Sequence, residues 1–184
     1  MRSGLVGEVE AITSSFTFMS DMTNNYRLNP HMGGGALLDV GCYQVHAWAA
    51  LTSGAELCDI AGVHRIQGET GIDLTTEVTA VLNGRTAVRA TSSFALPASQ
   101  ELVVRGSSGI VQMGEGEAFS SWNEPTTLVL NGAVEHFGSV NAFELMVNNV
   151  SQIIRGESGW CVSPEQSIRV AEILDEINLI GTRV

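Results

Sequence analysis

Lysine is missing from this sequence of 184 residues: all nine basic residues are arginine, at positions 2, 27, 65, 85, 89, 105, 155, 169 and 183. The chain therefore supplies no Schiff-base lysine, no lysine general base and no Walker-type phosphate lysine. The arginines are scattered and face 20 acidic residues, for a formal net charge of −11. No basic stripe is available to neutralise phosphates, so neither nucleic acid nor an anionic membrane surface is expected as a partner. Long apolar runs are also lacking. The longest, Ala47 to Leu51, is far short of the ~20 residues needed to span a bilayer. Met1 to Phe18 has no continuous apolar stretch of the kind a secretory signal needs, and a cytoplasmic location is expected. Cysteine is scarce: Cys42, Cys58 and Cys161 show no C-x-x-C spacing. That excludes a disulfide framework and a zinc knuckle and leaves buried thiols as the expectation. Cys42 and His46 stand four apart on a predicted helix but have no further ligand nearby, so no metal is expected.

What is present suffices for one domain, residues 1–184. Hydrophobic residues make up 44% of the chain and charged residues 16%, which excludes wholesale disorder. Val9 to Phe18 alternates as a strand does, and a polar loop from Ser20 to Pro30 follows. From Gly33 to about Thr52 the pattern turns helical, with Leu37, Val40, Val45, Trp48 and Leu51 in the stripe and Ser53-Gly54 as the stop. Strands are predicted at Leu57–Ile66, Ile72–Leu82, Arg85–Leu96, Glu101–Arg105, Gly109–Met113, Thr127–Leu130 and Ala133–Phe137. Asn83-Gly84 and Asn131-Gly132 read as two-residue hairpin turns. Val140–Arg155 is amphipathic, with Phe143, Met146, Val147, Val150 and Ile154 on one stripe. Ser163 caps a last helix that has Pro164 at its first position. This order is α+β: a sheet with helices stacked on one face. The other face is rich in threonine, and pattern alone leaves it either solvated or packed against another subunit.

The stretch from Tyr26 to His46 carries the chemistry. Three consecutive glycines, Gly33 to Gly35, allow a backbone or a ligand to approach closely and leave free N–H donors at the helix start. Asp39 and Tyr43 are four apart on one helical face, and His46 is three further on. Gly41 inside a helix costs about 1 kcal/mol relative to alanine, which suggests tight packing there. A carboxylate, a phenol and an imidazole on one face suit hydroxyl binding and proton shuttling. Spacing alone equally allows a solvated Asp39 with Tyr43 and His46 at the core margin. Neither the glycine run nor Gly114-Glu115-Gly116 is a dinucleotide fingerprint.

Arg27-Leu28 followed by Gly33-Gly34-Gly35-Ala36-Leu37-Leu38-Asp39-Val40-Gly41-Cys42-Tyr43 closely resembles the signature that opens the second domain of the Gfo/Idh/MocA oxidoreductases. Val6-Gly7-Glu8-Val9 resembles the family's entry strand. Phe143 to Gly156 with Val162-Ser163-Pro164-Glu165 resembles its closing helices. The resemblance implies an open, mostly antiparallel mixed β-sheet with helices packed on one face, the other face serving a homodimer or tetramer. It implies that Asp39 contacts substrate hydroxyls and Tyr43 assists proton transfer, with His46 and Arg27 at the substrate pocket. A tyrosine at position 43 is similar to the glucose–fructose oxidoreductase, xylose dehydrogenase and dihydrodiol dehydrogenase branch.

The family's N-terminal dinucleotide-binding Rossmann domain is absent from these residues, and so is its glutamate–lysine–proline motif. The expectation is a C-terminal substrate-binding and oligomerisation domain of an NAD- or NADP-dependent oxidoreductase acting on a sugar, polyol or related carbinol. The chain alone is expected to bind no cofactor and to be inactive. The alternative is a stand-alone, non-catalytic module for oligomerisation or small-ligand binding.

Overall fold

The alternation at Val9–Met19 folds as the first strand, β1, in a computed structural model that describes residues 4–19, 23–52, 57–119 and 123–181. The expected helix stop at Ser53-Gly54, the start of the polar loop at Ser20 and the side chain of Cys58 lie outside the described residues. The helix at Cys42–Leu51 (α1) follows β1. Six strands come next: Leu57–Gln67 (β2), Asp73–Leu82 (β3), Thr86–Ser93 (β4), Ala95–Gly106 (β5), Gly109–Met113 (β6) and Thr126–Leu130 (β7). The strand Ala133–Phe137 (β8) and the helices Ala142–Ile154 (α2) and Pro164–Gly181 (α3) complete the chain. Among the described residues no helix is long and apolar enough to cross a membrane.

Among the described residues eight strands form one open sheet in the order β2-β3-β4-β1-β5-β6-β7-β8. Only β1 and β4 pair in parallel; every other neighbour is antiparallel. Asn131-Gly132 turns its hairpin in two residues as expected, with Leu130 paired to Ala133, whereas the Asn83-Gly84 hairpin takes Arg85 as a third loop residue, with Leu82 paired to Thr86. Asn83 and Gly84 have φ of 51° and 67°, and Asn131 and Gly132 have 50° and 85°, the left-handed pair that matches strand twist.

One predicted strand divides. Arg85–Leu96 splits at Phe94, whose N–H turns to the carbonyl of Leu74 at 2.8 Å. The chain wraps round the end of β1, so Ser93 pairs with Thr17 on one side and Ala95 with Met19 on the other. The entry strand starts at Val9 rather than Val6, because Ser107 and Ser108 donate to the carbonyls of Glu8 and Val6 in a turn.

The core lies between the sheet and two helices. Ile12, Val88, Ala80, Val78 and Leu82 meet Val45, Trp48 and Ala49 of α1 and Val170, Ile173, Leu174 and Ile177 of α3. The expectation that all three helices cover this face is corrected: α2 has no buried residue, and its stripe from Phe143 to Ile154 is exposed. On the opposite face Thr13, Thr79, Ala87, Arg89 and Arg105 are exposed, the semi-polar surface expected from the pattern.

The start of α1 is not plain α-helix. Leu37–Gly41 is a π-helical turn leading into Cys42–Leu51. The wider turn takes up the five-residue step between the buried residues Val40 and Val45, whose neighbours in the stripe are three apart. Gly41 sits where the helix meets the sheet; a β-carbon there would lie 2.8 Å from Ser92 Oγ and 3.1 Å from Leu37 Cδ1. The tight packing inferred from Gly41 is therefore against β4.

Candidate substrate site at the start of α1

The loop before the helix is built from local asparagine caps. Asn25 Oδ1 accepts from the N–H of Arg27 at 3.0 Å, and Asn29 Oδ1 from that of His31 at 2.9 Å. These caps wind the turns Tyr26–Leu28 and Pro30–His31-Met32 and aim Arg27 back at the helix.

The glycine run clamps that loop down. Gly34 N–H donates to the Asn29 carbonyl at 3.0 Å and Gly35 N–H to the Arg27 carbonyl at 2.9 Å. A β-carbon on Gly34 would collide with the carbonyls of Arg27 and Asn29, and one on Gly35 with Asp73. Gly35 also has φ of 121°, which few other residues adopt. Two residues on, Leu37 N–H donates to Asp73 Oδ2 at 2.7 Å, and the same oxygen accepts from Thr76 Oγ1 at 2.6 Å. For Gly33, Gly34, Gly35 and Leu37 the expectation of free N–H donors is thereby corrected. A backbone, not a ligand, occupies the approach the glycines allow. The run does not fit the phosphates of a dinucleotide, since the donors that would hold them are spent within the chain.

Asp39 emerges from the π-turn and meets Arg27. Arg27 Nε donates to Asp39 Oδ2 at 2.7 Å, with side chains 31% and 19% exposed. That hydrogen bond, and then the carboxylate's charge, hold the guanidinium above its ordinary pKa against the opposing effect of burial; Tyr26 and Tyr43 add smaller contributions. The guanidinium lies 4.8 Å from the centroid of the Tyr26 ring, a cation–π contact. Among the described residues, Asp39 Oδ1, the Nη groups of Arg27 and the Tyr43 hydroxyl have no hydrogen-bond partner.

Tyr43 is 49% exposed. Its ring stands edge-on to Phe16 of β1 at 5.5 Å between centroids and 6.5 Å from Phe119. The structure thus brings Arg27, Asp39 and Tyr43 together above the end of β1. His46 is exposed further along α1 and has no hydrogen bond or ion pair with them among the described residues. Cys42 is half-buried beside the site; its thiol points to the Asp39 carbonyl at 3.5 Å, and burial pushes its pKa up. Cys161 is exposed, which corrects the expectation of buried thiols at that position. Its segment, residues 156–163, lies beside α2, where Trp160 N–H donates to Asn149 Oδ1 at 2.9 Å.

Two residues of this region escape sequence reasoning. Asp73 lies 36 residues from the backbone it caps, and Phe119 enters from the loop after β6. Neither stands in a motif.

Residues 1–112 match the GFO/IDH/MocA C-terminal domain. D-xylose 1-dehydrogenase (NADP(+)) 2 of Haloferax volcanii is 30% identical over 184 residues, covering 94% of this chain and 54% of that protein. The crystal structure of aldose-aldose oxidoreductase from Caulobacter crescentus complexed with glycerol superposes with a TM-score of 0.80. Its identity is 17%, covering 97% of this chain and 55% of that one. A 3-ketoreductase from Actinomadura kijaniata, solved with NADP and TDP-benzene, also gives 0.80, at 21% identity over 96% of this chain and 55% of that one. The chain spans about half the length of these relatives.

Proposed function

This chain belongs to the GFO/IDH/MocA family as its C-terminal domain, and on that premise we propose that it is the substrate-binding and oligomerisation domain of an NAD(P)-dependent oxidoreductase. The substrate is a sugar, polyol or related molecule with a secondary carbinol or its carbonyl. The observation that carries the reading is the Arg27–Asp39 pair at 2.7 Å beside the half-exposed phenol of Tyr43.

Each group has a task that follows from its chemistry. Asp39 Oδ1 accepts from a substrate hydroxyl while Oδ2 stays bonded to Arg27. The Nη groups of Arg27 donate to a neighbouring oxygen, so the pair reads two adjacent hydroxyls with opposite polarity. Tyr43, with a hydroxyl that both donates and accepts, takes or returns the proton at the reacting oxygen. His46 lines the approach to the site. The redox chemistry belongs to a nucleotide held elsewhere in the enzyme, because the glycine run here has no donors left for it. The Thr- and Arg-bearing open face of the sheet supports association of copies into a dimer or tetramer.

The test is substrate binding to the full-length, NADP-loaded enzyme across a panel of aldoses and polyols. Arg27→Met and Asp39→Asn should each weaken the preferred ligand about ten-fold or more, as expected for losing a charge-assisted hydrogen bond. Unchanged dissociation constants in both variants would overturn the assignment of this pair.

A further inference from the structure

Tyr43 is placed on an exposed helix face, and among the described residues its hydroxyl has no hydrogen-bond partner. What touches the ring is a pair of phenylalanines from distant parts of the chain. Phe16, near the end of β1, stacks on Phe119 with 5.5 Å between centroids and 7° between planes. Tyr43 meets Phe16 edge-on, at an interplanar angle of 63°. Offset-stacked and edge-to-face contacts are the two favoured geometries for aromatic pairs, so the three rings restrict one another.

Phe119 is itself pinned. Its N–H donates to Gln100 Oε1 at 3.3 Å, and Gln100 stands on β5 directly opposite Phe16 of β1. The loop after β6 is thus tied to the strand pair beneath Tyr43. Its Glu117 accepts from Thr127 Oγ1 of β7 at 2.9 Å, which fixes the loop's other side.

We propose that Phe119 is a positioning residue for Tyr43, stacking on Phe16 so that the phenol is held at the substrate instead of sampling solvent. This rests on the role given to Tyr43 above. A proton-transfer group misplaced by about 1 Å can lose up to 10²-fold in rate, so one ring behind the phenol has kinetic leverage without touching the substrate.

The test has two parts. In the full-length enzyme with ring-labelled tyrosine, the NMR resonances that Tyr43→Phe removes report on the Tyr43 ring. Phe119→Leu should shift the Tyr43 ring resonances, and Phe119→Trp should largely keep them. In the full-length enzyme Phe119→Leu should lower kcat about ten-fold with KM within about two-fold, and Phe119→Trp should recover most of it. In a Tyr43→Phe background Phe119→Leu should cause no further loss, since its effect passes through the phenol. Unmoved resonances, a loss confined to KM, or full additivity with Tyr43→Phe would each overturn the proposal. If Phe119→Leu fails to fold, Gln100→Ala, which releases the loop's anchor, should shift the same resonances; no shift would overturn it. Full turnover in Tyr43→Phe would instead defeat the assignment of Tyr43, and the NMR result would still report on the ring contact.

Discussion

Arg27 and Asp39 are twelve residues apart in sequence and meet at 2.7 Å through one nitrogen and one oxygen, Nε and Oδ2. The pair leaves the outer guanidinium nitrogens and the second carboxylate oxygen without a hydrogen-bond partner among the described residues. Such one-point contact differs from the two-point fork that arginine and carboxylate form when each serves only the other.

The charge on Arg27 is secured by its partner. Its pKa is raised, first by the hydrogen bond to Asp39. A raised folded-state pKa stabilises the fold below the unfolded value, and that contribution is lost only as pH rises through the folded value. Both lie far above neutrality for arginine. Substrate affinity should therefore show no ionisation of Arg27 between roughly pH 6 and 9. A titration of Kd against pH in wild type and Arg27→Met should differ in level and not in shape across that range.

The geometry of the site depends on packing beneath it. Gly34→Ala should displace the Arg27 turn, because the added methyl meets backbone carbonyls that cannot rotate away; such overpacking costs about 1–3 kcal/mol. Asp73→Ala should cost about 1–2 kcal/mol by uncapping Leu37 and freeing the hydroxyl of Thr76. Urea unfolding of both variants measures these losses, and midpoints equal to wild type would contradict the clamp described for the glycine loop.

The cysteines separate by environment. Cys42 is half-buried with a raised pKa, first from burial, so its reactive thiolate is scarce at mild pH. Cys161 is exposed. Iodoacetamide near pH 8, followed by peptide mapping, should label Cys161 about ten-fold faster than Cys42. Equal rates would show that the start of α1 opens readily.

Much of the sheet was legible because its signals are local. Alternation marked β1 and β3, and Asn83-Gly84 and Asn131-Gly132 marked their hairpins. The stripe of α1 was visible too, yet the five-residue step from Val40 to Val45 was readable as a π-turn only once the helix was seen against β4. Arg85–Leu96 was read as one strand because the turn at Phe94 is set by a bond to Leu74, twenty residues back. The stripe of α2 predicted a buried face, but periodicity does not say what covers a helix. Within the site, Asp39, Tyr43 and Arg27 were legible from the motif they resemble, whereas Asp73 and Phe119 arrive by tertiary contact. The glycines were legible as close-approach residues; that Arg27 and Asn29 fill the approach was not.

The central claim is that Tyr43 handles the proton at a substrate oxygen oriented by Asp39, and steady-state turnover of the full-length enzyme with an aldose and NADP tests it most directly. Tyr43→Phe removes one hydroxyl and leaves the ring against Phe16; Asp39→Asn keeps the shape and removes the charge. Each should lower kcat by about ten-fold or more, with folding intact by thermal melting. Wild-type turnover in both variants would contradict the account.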